Sequence, residues 1–457
     1  MLRSIYRVAS SGSSSKDAFS TLFHAGLVKV VRCMGDNSLE CFELEVRGGS
    51  SIALRSHVVP LGHAGLEEQP VLFAVHCFTQ RLGPSQPLPV MGVLAVTEEA
   101  HFSVRICGGR LRCEGTLSEM AADCQTLPLD FVPSLLKSLL LPPALAAGGG
   151  WLPAAFLVSG SCRELRVLAQ RAASGLFEWL PDTAALPALP PSFAGCRTQA
   201  LCADVRHVPG LGEVAAFGCE DGCVLLTVDG TERQRVHLDG PVSSVCLFSP
   251  APRRAGRSPR QQLWADRPLL PWSAPDEPPP GSHWDWEGLA SAVPRASAAA
   301  AALARFKAAA AAAEAAQPAA AAALHLACGG AAGFVVVFEH VATAGLERCA
   351  VLAAAEDTVL SMAAGDWDAD GREELLVGTH GGRLLAFGAA EGGGWTLKSA
   401  MDFGPPLHSF HALRHVDVVP YVLCGTPGSL EVLGPPLRAL ERLLQDRLDI
   451  LAPQFAQ

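Results

Sequence analysis

Apolar runs of about five residues recur along the chain, each followed by a turn of about four residues and a second apolar or alternating run. That period suits two short strands joined by a tight turn, so the unit reads as a β-hairpin. Its clearest copies are Glu374–Phe387 (ELLVGTHGGRLLAF) and Val214–Val228 (VAAFGCEDGCVLLTV), which superimpose by eye. Leu324–Phe338, Tyr421–Leu433 and Phe156–Leu168 follow the same template, with looser versions at Leu27–Val46 and Val93–Ile106, making seven. Turn markers Gly35, Glu98, Gly160, Gly218, Gly329, Gly378 and Gly425 stand 63, 62, 58, 111, 49 and 47 residues apart. The one long interval holds a Pro-, Arg- and Ala-rich segment at 252–323. Without its 72 residues the interval falls to 39, the size of a four-stranded propeller blade.

The pattern therefore predicts an all-β chain, a seven-bladed β-propeller over 20–434 with one low-complexity insertion at 252–323. Radial stacking buries both apolar faces of each twisted sheet and leaves only short edges. A pair of β-sandwiches is the competing architecture, but its strands need not return at a fixed interval. Residues 1–19 read as a flexible polar tail. Leu437, Leu440, Leu444, Leu448 and Leu451 recur at helical spacing behind Pro435 and Pro436, so a short C-terminal α-helix is expected over 435–451. Inside the insertion, Ser297 caps an alanine helix stopped by Pro318. Trp264, Trp272, Trp284 and Trp286 in the same segment read either as a docking motif or as filler.

Composition agrees. The 457 residues are 49% hydrophobic and 18% charged, which excludes a disordered tail or a small stapled scaffold. Gly 44 and Pro 34 supply punctuation for many short strands. A formal charge of -10 repels phosphate backbones, so nucleic acid is not an expected partner. The most apolar stretch, Phe131–Ala147, carries Lys137 and three prolines and cannot be a continuous membrane helix; any membrane contact comes through partners. Fifteen cysteines, an odd count without a CxxC pair, read as buried thiols in a reducing, cytoplasmic setting and not as a disulfide framework.

One stretch could carry chemistry. Asp366, Asp368, Asp370 and Glu374 place carboxylates at positions 1, 3, 5 and 9 around Gly371, with the Arg372 carbonyl at position 7. Hard oxygen donors at that spacing can wrap a structural Ca2+ in a loop of the FG-GAP type, between the first two strands of a blade. The alternative is an Asx-rich turn whose carboxylates bond nearby amides. His408, His411 and His415 have helical spacing, yet in the repeat they fall on the first strand of the last blade, which does not suit a zinc site. No GxSxG elbow, phosphate loop or HExxH occurs, so no catalytic residue is assigned and the chain is read as a non-enzyme.

Ala155–Ser161, Leu201–Val205 running into Ala215–Cys219, Asp239–Ser249, and Asp357–Ser361 leading to Asp366–Arg372 resemble, in that order, the kaptin family. The likeness extends to Pro405–His408 and the terminal helix. It implies a seven-bladed scaffold subunit of the KICSTOR assembly, which holds GATOR-type complexes at lysosomal membranes and restrains target-of-rapamycin signalling when amino acids are scarce. Association with actin filaments is implied as well. The insertion and the missing acids at Asp417 depart from the family pattern. The alternative is another propeller adaptor with a Ca2+ loop, or a propeller hydrolase.

Overall fold

A sheet with two apolar faces needs a neighbour on each side, and the chain meets that need by closing a ring. The computed structural model describes residues 3–9, 19–24, 27–47, 51–61, 70–80, 88–109, 117–122, 124–141, 150–181, 186, 198–208, 211–250, 324–352, 357–368, 372–390, 393–413, 421–427 and 429–434. These form seven four-stranded antiparallel sheets. The chain opens with β1 (Arg3–Ala9). Blade 1 is β2 (Phe19–His24), β3 (Leu27–Cys33), β4 (Ser38–Arg47) and β5 (Ser51–Pro60), and blade 2 is β6 (Val71–Gln80), β7 (Leu88–Val96), β8 (Phe102–Gly108) and β9 (Cys124–Leu129), with helix α1 (Leu117–Ala122) before its last strand. Blade 3 is β10 (Pro133–Leu140), β11 (Trp151–Gly160), β12 (Leu165–Arg171) and β13 (Phe177–Trp179). Blade 4 is β14 (Ala200–Val208), β15 (Gly212–Cys219), β16 (Cys223–Val228) and β17 (Thr231–His237). Blade 5 is β18 (Val242–Phe248), β19 (His325–Gly330), β20 (Val335–Phe338) and β21 (Cys349–Val351), with the short helix α2 (Val341–Ala344). Blade 6 is β22 (Val359–Gly365), β23 (Glu374–Thr379), β24 (Arg383–Ala389) and β25 (Trp395–Asp402), and blade 7 holds β26 (Ser409–Leu413), β27 (Tyr421–Thr426) and β28 (Ser429–Gly434).

The seven hairpins read from the sequence are the two middle strands of the seven blades. The first strands β2, β6, β10, β14, β18, β22 and β26 each touch the next, and β26 touches β2, so the inner wall is closed. One correction concerns the N-terminus. Arg3–Ala9, expected within a frayed tail, is a strand that pairs antiparallel with β28, from Arg3 opposite Gly434 to Ala9 opposite Ser429. Blade 7 thus takes its outermost strand from the start of the chain, and the ring runs from residue 3. The hydrophobic period alone could not show this, because an isolated edge strand carries no hairpin signature of its own. The expected C-terminal helix at 435–451 lies outside the described residues. So does the insertion at 252–323, yet its flanks are placed: Phe248 and His325 stand opposite each other in the β18–β19 register. The chain leaves and re-enters the sheet at one point.

Apolar clusters fill the gaps between successive blades. Leu157, Val167, Phe217 and Leu225 pack between blades 3 and 4, and Val224, Val242, Leu326 and Val336 between blades 4 and 5. Repeated side-chain bonds latch each inner strand to the next. Ser134 Oγ donates to the Ala200 carbonyl (2.7 Å), Cys202 Sγ to that of Val242 (3.4 Å), Ser243 Oγ to Val359 (2.5 Å) and Ser361 Oγ to Leu407 (2.8 Å). Each of these residues lies at a register shift in its strand, where a bulge turns a side chain toward the neighbouring blade. At the seam between the first and last blades, the fully buried Arg32 donates to the Thr426 and Pro427 carbonyls at 3.2 and 2.6 Å.

The reading of all cysteines as thiols is also corrected. Cys107 and Cys124 form a disulfide, being directly opposite each other on β8 and β9. A count of cysteines does not see cross-strand register, which is what brings these two together. Cys33, Cys41, Cys77, Cys219, Cys223, Cys246, Cys328 and Cys424 are buried thiols, as the apolar runs suggested. Burial pushes the Cys41 thiol up to about 12.

Candidate functional site

The acidic loop runs from the end of β22 to the start of β23, the position read from the sequence. Its described residues point in three directions. Trp367 is buried in the cluster between blades 6 and 7. Glu373 and Glu374 are adjacent and both almost fully buried, and strand alternation sends them to opposite sides.

Glu374 faces outward across its own blade. Its Oε2 accepts the Trp367 backbone N–H at 2.8 Å, and its Oε1 accepts Lys398 Nζ at 2.8 Å. The same ammonium reaches Asp368 Oδ2 at 3.0 Å. The approach of Lys398 is built into the sheet. In the β24–β25 ladder Ala386 pairs Ser399 and Phe387 pairs Leu397, so Lys398 is the extra residue of a bulge. Its stem lies over Gly388, where any Cβ would meet Lys398 Cδ at 2.8 Å. A bulge turns the lysine inward and a missing side chain lets it pass.

Asp366, Asp368 and Glu374 bring one carboxylate oxygen each to within 4.8 Å of one another, a grouping that could hold a metal ion. Asp370 lies outside the described residues, and Arg372 stands two residues before Glu374 on the loop. With Lys398 bonded to two of the three acids, the arrangement already contains a cation of the chain's own and does not accommodate Ca2+ unless the ammonium moves away. Burial pushes the Glu374 carboxyl up to about 8, with Lys398 pulling it back and Asp368 pushing the same way as burial. Lys398 is held charged well above the ordinary lysine range by its bonds to the two carboxylates, against the burial of its stem. Sequence reading found the acids but missed the lysine, which stands 24 residues beyond Glu374 on the outermost strand.

Glu373 faces the inner wall. It accepts the Ser249 backbone N–H at 2.8 Å and pairs with Arg206 of β14, Nη2 to Oε1, at 3.4 Å. Arg206 also donates to the Leu247 carbonyl at 3.2 Å. Asp204, two residues earlier on β14, accepts the Leu247 N–H at 2.8 Å and Lys137 Nζ of β10 at 3.4 Å. Side chains on the first strands of blades 3 and 4, the backbone of blade 5 and the loop of blade 6 thus form one polar chain across the inner wall. Ser249 begins the excursion of the insertion, which leaves beside this network. None of these partners was visible in the sequence, since they come from four separate repeats.

Of the histidines at helical spacing, His408 precedes β26 and His411 lies in it, so the helical reading fails as expected; His415 is outside the described residues. Burial, with His380 and Arg32 nearby, lowers the His408 pKa. A second donor cluster escaped the sequence reading. Cys219, Asp221 and Cys223 surround the tip of the β15–β16 hairpin, with their donor atoms within 4.8 Å of one another. Its signal was Cys-x-Asp-x-Cys across a turn.

Residues 296–420 match the family described as KICSTOR complex protein kaptin. That span covers the second to fourth strands of blade 5, the whole of blade 6 with its acidic loop, and the first strand of blade 7. Over this part of the chain the sequence is similar to that family. No curated protein matches it by sequence. Among solved structures it is similar to BBS1N in complex with ARL6DN, soaked with lead, at 12% identity and TM-score 0.50 over 95% of this chain and 97% of that one. It is also similar to Sqt1 of Saccharomyces cerevisiae, at 11% and 0.45 over 94% and 100%. For Raptor of Chaetomium thermophilum the values are 9% and 0.47 over 95% and 29%. At its identity the likeness to BBS1N speaks for the fold alone.

Proposed function

We propose that this propeller, similar to kaptin over residues 296–420, is a non-catalytic scaffold subunit acting in amino-acid-dependent restraint of target-of-rapamycin signalling. Its partners are proteins of the KICSTOR and GATOR type. It works from the cytoplasm and is recruited to the lysosomal surface by those partners. The observation that carries this reading is the family match over 296–420, which spans most of blade 5, the whole of blade 6 with its acidic loop and the first strand of blade 7. The state of the inner-wall acids supports a structural role: Asp204 and Glu373 are each engaged by a cation and a backbone amide. Among the described residues no helix is long and apolar enough to cross a membrane, which suits recruitment through partners. Actin filament association is a second role for the same surface, drawn from the family resemblance.

Affinity purification of the tagged chain from amino-acid-starved cells tests the reading. Recovery of KICSTOR or GATOR subunits supports it. Reproducible recovery of actin without them would move the function to the filament, and recovery of neither would remove the scaffold assignment.

A further inference from the structure

Five blades tie off their central hairpin with the same turn. In blades 2, 3, 4, 5 and 6 a turn residue donates its N–H back to the carbonyl three residues earlier: Ala100 to Thr97, Arg163 to Gly160, Gly222 to Cys219, Gly333 to Gly330 and Gly382 to Thr379. Gly222 takes φ 84° and Gly382 φ 82°, a backbone region that glycine adopts without strain. The turn itself therefore fixes the backbone and leaves the flanking side chains to chance or to function. In blade 6 these flanking residues are Thr379 and Arg383, and in blade 5 Gly330 and Phe334. In blade 4 both are cysteines, Cys219 and Cys223, fully buried on the side that faces blade 3.

Between them sits Asp221, half-buried on the outer side of the turn. Its backbone N–H donates to Thr198 Oγ1 at 3.1 Å and its Oδ1 accepts the Cys223 N–H at 3.1 Å, so its carboxylate is held in place. An Asp in a similar place recurs in blade 1, where Asp36 accepts the Ser38 N–H, but no thiol pair accompanies it. Two sulfur donors and one oxygen donor, all within 4.8 Å, are a composition that thiophilic divalent ions favour. Donor atoms in a tetrahedral zinc site stand about 3.3–3.8 Å apart, so closure around an ion asks for a contraction of at most about 1.5 Å.

We propose that Cys219, Asp221 and Cys223 form a binding site for a thiophilic divalent cation of the zinc type. On binding, both thiols lose their protons to solvent and form two metal–sulfur bonds, while Asp221 supplies the third bond as carboxylate. No oxidation is involved. The ion would fasten the tip of blade 4 at its contact with blade 3. The site is independent of the acidic loop and of the scaffold reading.

Titration of the reduced, metal-free full chain with Co2+ tests this, read by thiolate-to-cobalt charge-transfer absorbance and by competition with Zn2+. One equivalent should give the band, Zn2+ should abolish it, and apparent affinity should fall about 100-fold per pH unit of acidification as two protons compete. Cys219→Ala with Cys223→Ala should remove the band. Asp221→Asn, on the half-exposed side of the turn, should keep the fold and weaken Co2+ binding by about 10-fold or more. A band that survives the double cysteine variant would assign the metal to other thiols and overturn the site. Unchanged affinity in Asp221→Asn, no band in the wild type, or a Cys219–Cys223 disulfide in protein alkylated at harvest would each overturn it too.

Discussion

Blades 4 and 6 share one hairpin and differ in what they attach to it. Both join their middle strands through the same glycine-locked turn, and both place a glycine before it, Gly218 and Gly378. In each case the next blade and the first strand of the same blade together fill the space a side chain would take. A Cβ on Gly218 would meet Val242 Cγ1 at 2.5 Å and Cys202 Sγ at 2.7 Å; one on Gly378 would meet Ser361 Oγ at 2.7 Å and Phe410 at 2.8 Å. The differences lie at the tip and at the lead-in. Blade 4 carries two buried thiols at its tip and passes from β14 to β15 in three residues. Blade 6 carries Thr379, whose Oγ1 accepts the Arg383 N–H at 3.1 Å, and passes from β22 to β23 through the acidic loop. The shared part is what blade stacking demands, and the variable part is free to take on chemistry.

Arg206 and Glu373 join these two blades directly, so cutting that link is the strongest way to break the comparison. Arg206→Met leaves a carboxylate that is 2% exposed without its cation. Loss of one partner of a buried pair costs about 3–5 kcal/mol, and with Arg206 itself one-third exposed we expect about 2–3 kcal/mol in urea unfolding. Glu373→Gln should cost less, because the amide oxygen still accepts the Ser249 N–H and no buried charge is stranded. Equal losses in the two variants would mean that the pair is held by packing and not by charge.

The glycines provide the next test, and here the two blades should behave alike. Gly218→Ala and Gly378→Ala each force an inner strand outward, at about 1–2 kcal/mol by the usual expense of overpacking. Similar losses at both sites would confirm a common stacking role. A loss at Gly378 alone would make the acidic loop, and not the template, the reason for glycine there.

Those same glycines explain how much could be read beforehand. Gly218, Gly329 and Gly378 served as period markers because each lies where the next blade presses on the backbone, and Gly160 because the chain entering its own blade does, so a requirement of the stacked sheets is written at intervals along the chain. The blade count was legible for that reason. β1 was not, since its partner strand β28 lies more than 400 residues away and its own seven residues carry no period. The acids of the loop were legible by spacing, whereas Lys398 was not, because its role depends on a bulge and on the bare Cα of Gly388, both features of the folded sheet. The Arg206–Glu373 pair is 167 residues apart and follows only from ring geometry.

Lys398 sharpens the contrast on the smallest scale. Lys398→Met removes the ammonium shared by Asp368 and Glu374, and the loss should depend on pH. Glu374 has its carboxyl raised above the ordinary value of 4.5 to about 8, so the folded state holds its proton more tightly than the unfolded chain. A raised acid contributes stability below its unfolded pKa and loses that contribution as pH rises through the folded one. Lys398 limits the rise, so its removal should leave stability nearly unchanged near pH 5 and lower it by about 1 kcal/mol or more at pH 8–9, as a steeper fall of melting temperature with pH. Calcium then distinguishes the two cations. The wild type should melt at the same temperature in calcium and in chelator, and Asp368→Ala should lower that temperature equally in both. Calcium should stabilise only Lys398→Met, where three acids are left facing one another. A calcium gain in the wild type, lost in Asp368→Ala, would show that the ammonium gives way and that the loop is the metal loop its spacing suggests, which would separate blade 6 from blade 4 by a bound ion as well as by its side chains.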